Sequence, residues 1–485
     1  LCGVLFYWSS LGCHHSKRGI GIAPYSVYSY FYWVLRVFNL NREVGKKHEF
    51  GSVLGDVVEQ PCVAAHWFVF DLKGINRKSV VSIGNLFAMD ASAVKGRVLL
   101  LCSKPPFPSL DGGCKATASM LQLLSDCGLE VDVLTFSTYK HPFDLGAFPV
   151  PWNTADRCWE LPMDTRPRVL DVVPFLFSKA PYQVLRFTRF AKREFKQIQQ
   201  RLRERTYRLV VWDSLYSRSI CGELEFSGNP KQVLRIHNVE HHIQRFSKVP
   251  AVLSFLFQRE TDRLARFEVM HWGQVDEIWA MTEADAQEVA VAVSKPVRTL
   301  PVPLKTAMQE WPQGSVRFFH LGAMDWLPNR EGLDWLLDQV WPLVLQGCPE
   351  AELHLAGRSF PAGYAQGIRG VVVHGEVEDA EAFSAQHHVL VVPVHSGSGV
   401  RIKTVEAALQ GRMVVSTKVG AEGLPESVRM YLLEESQAQL FAAAMIQCCH
   451  DAEDLPRRVE QLRAAMFAFA GWESARKNLK KVLQS

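Results

Sequence analysis

No C-x-x-C pair occurs among the eleven cysteines of this sequence, and their spacing follows no pattern. A disulfide framework or a zinc ribbon needs such regularity, so the thiols read as reduced and mostly buried, as in a cytosolic protein. The pairs His14-His15, His241-His242 and His387-His388 lack metal-ligand spacing, and no metal site is expected. An excess of one charge is missing as well. With 54 lysines and arginines against 50 acids the formal charge is +4, too weak a field to call for nucleic acid as a partner. No G-x-G-x-x-G turn follows the first predicted strand, which argues against a nicotinamide dehydrogenase. The uncharged run GIGIAPYSVYSYFYWVL between Arg18 and Arg36 is short for a membrane span, and Pro24 with several Tyr and Ser weakens it. No small-residue cleavage site follows it cleanly, so it does not read as a signal peptide. Residues 1–94 have no methionine before Met89 and no sustained period; they are expected to be a poorly ordered extension or a weak membrane-surface anchor.

What remains is patterned. At 485 residues, 48% hydrophobic and 21% charged, the chain has the size and composition of two globular domains. Short apolar runs of the kind buried in a parallel sheet occur at 97–103, 130–136, 208–213, 232–237 and 275–281. A helical stretch at 114–128 separates the first two and ends on Gly128. The proline-rich segment KPVRTLPVPL, 295–304, interrupts the pattern, which restarts with strands at 316–322, 351–357, 370–375, 389–394 and 412–417 and a helix at 331–347. Alternating strand and helix on both sides of that break predicts an α/β protein with two doubly wound, Rossmann-like domains facing a cleft. The divisions expected are 95–300, 301–465 and a last segment, 466–485.

The stretch 389-VLVVPVHSGSGVRIKTVEAALQGRMVVST-417 carries the chemistry. A strand ends at Val394, the loop 395-HSGSG-399 needs permissive backbone, and a helix follows to about Gln410. Free amides at a helix start favour an anion. Arg401 and Lys403 stand there although each costs about 0.3–1 kcal/mol against the helix dipole. A bound diphosphate would reverse that penalty. Glu406 lies one turn beyond Ile402, too far for the same phosphates but placed to accept from sugar hydroxyls. An ordinary glycine loop with solvated cations is the competing reading.

The segment from PVHSGSGVRIKTVEAALQG through VVSTKVGAEGL resembles the donor-nucleotide motif of family-4-type retaining glycosyltransferases (glycosyl transferases group 1), which have the GT-B fold. The likeness continues over roughly residues 96–485. It includes 105-PPFPSLDGG-113, 235-RIHNVEHHI-243, 320-HLGAMDWLPNREGLDWLL-337 and the closing helix 471-GWESARKNLKKVL-483. The resemblance implies a nucleotide-diphosphate sugar as donor substrate, no separate cofactor, and a glycan or lipid-linked acceptor. It gives Arg401 and Lys403 the diphosphate and Glu406 the ribose. Gly357, Arg358, Gly375 and Val377 would line the base pocket, and Gly397, Ser398, Gly399 and Val400 the donor loop. Gly112 and Gly113 would close the first domain's loop on donor or acceptor. Ser398 stands where the family's pair of spaced glutamates has its first member. Asn329 and Arg330 stand near the place of an Arg and a Lys usual early in the donor domain.

Sugar transfer leaves negative charge on the departing diphosphate, and preorganised positive potential helps most. Arg401, Lys403 and the loop amides would supply it without a metal, and no obvious Asp-x-Asp stands at a strand end. His237 is the polar candidate nearest the reacting sugar, with Glu240 to orient it or the acceptor. Residues 179–208 hold ten lysines and arginines against two glutamates. Val184, Phe187, Phe190, Phe195, Ile198 and Leu202 give the stretch an apolar side. It is either a helix packed on the first domain or, over 186–205, a surface for anionic membrane. Two alternatives stand beside the transferase: a sugar-nucleotide epimerase on the same fold, and a non-catalytic sugar-nucleotide-binding partner subunit, for which Ser398 argues.

Overall fold

The computed structural model describes residues 96–166, 178, 180–185, 187, 189–245 and 254–484. The expected extension 1–94, with its aromatic run, lies outside the described residues. Each half of the rest is built around one parallel sheet. The first has strand order β3-β2-β1-β4-β5-β6-β7, with β1 Arg97–Cys102, β2 Glu130–Ser137, β3 Cys158–Pro162, β4 Leu209–Asp213, β5 Lys231–Ile236, β6 Glu277–Ala280 and β7 Val297–Thr299. The second has order β10-β9-β8-β11-β12-β13. Its strands are β8 Arg317–Leu321, β9 Glu352–Ala356, β10 Val371–Gly375, β11 Val389–Val392, β12 Met413–Ser416 and β13 Leu433–Glu434.

The apolar runs become strands because both faces of each sheet are covered. In β1, Val98, Leu100 and Cys102 face one core with the helix Gly112–Asp126, while Leu99 and Leu101 face another with Ile198 and Leu202. Such a strand cannot alternate polar and apolar, so it reads as continuous. The predicted strands all form. β3, β7 and β13 were not foreseen, being edge or short strands with little apolar signal. The helix expected at 331–347 starts earlier, at Leu327, and has a π-helical turn at Leu336–Val340.

The last helix, Trp472–Gln484, leaves the second domain and packs on the first. Trp472, Ala475, Leu479 and Val482 join the core that holds Val98 and Leu100. Asp126 fastens the crossing. It accepts from Lys305 Nζ at 2.7 Å and Trp472 Nε1 at 2.9 Å, and Lys305 lies 4.2 Å above the Trp472 ring. Among the described residues no helix is long and apolar enough to cross a membrane.

Candidate functional site

The glycine loop connects β11 to the helix Ile402–Leu409, at the carboxyl end of the second sheet. Gly399 has φ +82, and a Cβ there would lie 1.7 Å from Asn238 Oδ1. Only glycine lets this loop approach the end of β5, where His237 and Asn238 stand. Gly112 approaches the helix start in the same way, since a Cβ on it would meet Ile402 at 3.3 Å. The carboxyl ends of the two sheets therefore meet around the loop, the place where doubly wound folds bind ligands.

Arg401 occupies the cap position of the loop helix and is 8% exposed. Its guanidinium turns back on its own loop, donating to Ser398 O at 2.6 Å and Gly399 O at 3.2 Å, with Trp326 at 5.4 Å. Burial lowers its pKa, against a weaker pull from Glu422. In this state Arg401 shapes the loop. Lys403 is half-buried; its Nζ donates to Leu321 O at 2.8 Å and Asn329 Oδ1 at 3.1 Å and meets His320 Nε2 at 3.3 Å. The His320 ring is fixed by Nδ1–H donating to Val391 O at 2.8 Å, which leaves Nε2 bare toward the lysine. Burial, with Arg401 nearby, brings Lys403 down to about 7. No carboxylate partners either cation at ion-pair distance among the described residues. Ser398 Oγ, Arg401 Nε and Thr404 Oγ1 are buried without a hydrogen-bond partner. Orphaned polar atoms beside uncompensated cations fit an anionic ligand.

Glu406 is not open to a sugar in this state. Its Oε1 accepts from Lys115 Nζ at 2.6 Å, and Lys115 belongs to the first domain's helix Gly112–Asp126. Gly357 and Gly375 come together at the ends of β9 and β10, where Gly357 N–H donates to Gly375 O at 2.7 Å. A Cβ on Gly357, whose φ is +148, would lie 2.0 Å from Gly322 O. Gly322 in turn abuts His320 and Asn329, so the expected base-pocket residues adjoin the Lys403 cluster. Arg358 lies on that rim, its carbonyl accepting from Met324 N–H at 2.9 Å, while Val377 packs against the second domain's core. Gly113 sits over Lys104, which donates to Asp111 at 2.7 Å.

His237 Nε2 lies 3.0 Å from Asp213 Oδ1, not against Glu240. Asp213, fully buried at the end of β4, also accepts from Arg235 at 2.6 Å and Thr117 Oγ1 at 2.5 Å. Burial alone would raise its pKa; Arg235, His237 and Thr117 hold it well below the usual carboxylate range. With Nε2–H donating to Asp213, His237 keeps Nδ1 as its acceptor. Glu240 does not orient His237: it accepts from Tyr216 OH at 3.2 Å, and burial together with Glu268 pushes its carboxyl up to about 7. Asp213 carried a signal, as a lone acid ending the apolar run RLVVWD. Lys115 and Thr117 carried none, because nothing local marks a helical residue that reaches across a cleft.

The basic stretch forms a short helix at Tyr182–Leu185 and a longer one at Lys192–Arg203, with Val184, Ile198 and Leu202 buried in the first domain. Arg201 donates to Ala155 O at 3.2 Å and Arg205 to Asp132 at 2.9 Å. Lys192, Arg193 and Lys196 remain exposed.

Residues 315–451 match the family described as Glycosyl transferases group 1. An uncharacterized 44.6 kDa protein in the cps region of Klebsiella pneumoniae is 21% identical over 369 residues, spanning 72% of this chain and 90% of that protein. The sucrose-phosphate synthase of Thermosynechococcus elongatus superposes with a TM-score of 0.58 at 16% identity, over 80% of this chain and 98% of that one. HepE of Anabaena, solved in complex with UDP, does so with a TM-score of 0.54 at 13% identity, over 80% and 99%. These last two likenesses speak for the fold. Residues 315–451, with the glycine loop among them, thus match the glycosyl transferases group 1 family, and the chain around them has the GT-B fold.

Proposed function

We propose that the protein transfers a sugar, with retention of anomeric configuration and without a metal at the diphosphate, from a nucleotide-diphosphate sugar to a glycan or lipid-linked acceptor. The observation that carries this reading is the pair Arg401, buried, and Lys403, half-buried, at a helix start beside orphaned polar atoms, with no carboxylate at ion-pair distance among the described residues. UDP in the Anabaena neighbour supports a nucleotide donor. The cps-region relative supports polysaccharide assembly, and the proposed place of the reaction is the cytoplasm. The nucleotide sugar is substrate, and no further cofactor enters the reaction.

In the proposed mechanism the loop amides, Lys403 and a reoriented Arg401 hold the diphosphate as its charge grows. Glu406 exchanges Lys115 for ribose hydroxyls. His237, its tautomer fixed by Asp213, presents Nδ1 to the sugar or acceptor. A groove of about 740 Å³ at the carboxyl ends of β2 and β3, lined by Tyr139, Phe143, Met163, Arg166, Arg189 and Phe190, is the acceptor side. Lys192, Arg193 and Lys196 would bring that side to anionic membrane. Vesicle co-sedimentation falling steeply with salt is the expected sign, and salt-insensitive or absent binding refutes it.

The test of the reaction is donor affinity by calorimetry and transfer rate at saturating donor. Arg401→Ala and Lys403→Ala should each lower turnover by about 2.7–4 kcal/mol in barrier, more than they weaken binding. Glu406→Gln should chiefly weaken binding, since ribose is held equally in ground and transition states. Wild-type behaviour in both cation variants would remove the loop from the diphosphate. Ser398 in the family's glutamate position favours a second reading, a non-catalytic binding subunit; tight donor binding with no turnover on any acceptor or water would establish it.

A further inference from the structure

We propose that His241, His242 and Glu288 form a binding site for a divalent transition metal of the zinc class, held in the first domain apart from the diphosphate loop. The helix Glu240–Arg245 follows β5 and the helix Glu283–Ala292 follows β6, so neighbouring parallel strands deliver the ligands to one place. Glu288 Oε1 lies 3.6 Å from His241 Nε2 and 3.3 Å from His242 Nε2, and the three atoms are all within 4.8 Å of one another. Bonds of about 2.0–2.1 Å to a tetrahedral ion set neighbouring ligand atoms about 3.3–3.4 Å apart, and the two distances from Glu288, 3.3 and 3.6 Å, lie close to that.

The tautomer is set for ligation. His241 Nδ1 lies 2.8 Å from Glu268 Oε2, and Glu268 is 1% exposed. Glu268 also accepts the backbone N–H groups of Glu240 at 2.8 Å and His241 at 3.1 Å, so its carboxylate is held from three sides. A buried carboxylate on the far nitrogen is the usual support of a metal-binding histidine, turning the bare Nε2 outward. Plain ion pairs would sit closer. Charge-assisted N–H···O contacts are about 2.7–2.9 Å, and His241 already has one with Glu268. His242 and Glu288 are 32% and 37% exposed, which leaves a way in for the ion and a fourth position for water. The expectation of no metal rested on the His-His spacing, which cannot show a third ligand arriving from another helix. A bound ion would staple the two helices and so fix the chain just after His237 and Asn238. It is a positioning device, independent of how the donor is read.

The experiment uses the full chain, stripped with chelator and titrated with Zn(II) against a chromophoric competitor, and with Co(II) by visible absorption. One Zn(II) per chain and intense tetrahedral Co(II) bands are expected, with a rise in unfolding midpoint on zinc addition. His242→Ala and Glu288→Gln alter exposed side chains; their zinc-free midpoints should match zinc-free wild type, while the Co(II) bands vanish. Glu268→Gln keeps all three ligands and should weaken zinc by about 10–100-fold. His141→Ala, at the separate Asp111–Cys114–His141 cluster, should change nothing. No stoichiometric binding by the wild type, binding that survives both ligand variants, or binding lost in His141→Ala would each overturn the site.

Discussion

Five buried acids of the first domain have basic partners. Asp132 lies near Arg97, Arg157 and Arg205, Asp213 near Arg235, and Glu277 near Lys231 and Arg298. Glu260 meets Arg263, and Glu268 meets His241. The buried cations of the second domain, Arg401 and Arg412, meet backbone carbonyls instead, and Lys403 meets one carbonyl, an amide oxygen and an imidazole nitrogen. Pairing fixes a framework, whereas a cation held by neutral dipoles keeps its charge available. Position then separates the two arginines. Arg412 precedes β12, at the opposite end of the sheet from the loop, and ties His387 O to Glu310 O. Arg401 and Lys403 stand at the ligand end, beside the orphaned atoms.

The largest effect should come from breaking a paired site. Asp213→Ala would strand Arg235 in the core of the first domain, and removing one partner of a buried pair costs about 3–5 kcal/mol. Urea unfolding followed by tryptophan fluorescence reads it. A loss under half of that would mean Arg235 is stabilised mainly by Ala116 O, its second acceptor at 3.2 Å. Lys403→Met should do the reverse. Turnover falls by the amount given for the alanine variant, while stability at pH 6 falls by no more than about 1 kcal/mol, because a buried cation without an anion contributes little to folding. If Lys403→Met unfolds the chain as Asp213→Ala does, the contrast between the domains fails.

A third effect is smaller and depends on pH. Lys403 is brought to about 7 by burial and Arg401, far below its unfolded value. Between those two values the unfolded chain binds the extra proton, so this group's share of stability rises as pH increases from about 7 toward 10. Donor binding should follow the opposite sign. An arriving diphosphate requires the charged form, so above pH 7 it must bring a proton, and affinity should fall by up to about tenfold per pH unit. Calorimetry at pH 8.5 in two buffers of different ionisation enthalpy should show uptake approaching one proton, absent in Lys403→Met. Equal heats in both buffers for the wild type would place Lys403 outside the diphosphate site.

The sequence made the fold legible wherever burial on two faces wrote a continuous apolar run, as in β1, β4, β11 and β12. It failed at β7, three half-buried residues, and at β13, two residues, where pairing to a neighbour decides and composition does not. The loop with Arg401, Lys403 and Glu406 was legible because glycines and cations violate helix-start preferences within one short segment. Partners were not. Asp213 under His237 was marked only by its place at the end of an apolar run, while Lys115 on Glu406 and Glu288 beside the His241-His242 pair are brought in by topology with no mark in the sequence.

The smallest effect tests a place where charges of the two domains meet. Lys115, from the first domain, pairs with Glu406, from the second, at 2.6 Å with side chains 34% and 25% exposed. Partly exposed pairs of this kind contribute about 0.2–1 kcal/mol. If Glu406 must leave Lys115 to reach ribose, that energy opposes donor binding, and Lys115→Ala should tighten the donor by up to about fivefold at low salt. The gain should shrink as salt screens the pair in the wild type, since the latch then weakens without mutation. Glu406→Gln also breaks the latch but loses the ribose acceptor, so it should weaken the donor despite the freed lysine. The double variant should then match Glu406→Gln alone, because with the carboxylate gone Lys115 has nothing left to compete for. Weaker donor binding in Lys115→Ala would reverse the assignment: the lysine would itself touch the nucleotide, and the first domain would contribute a cation to the diphosphate after all.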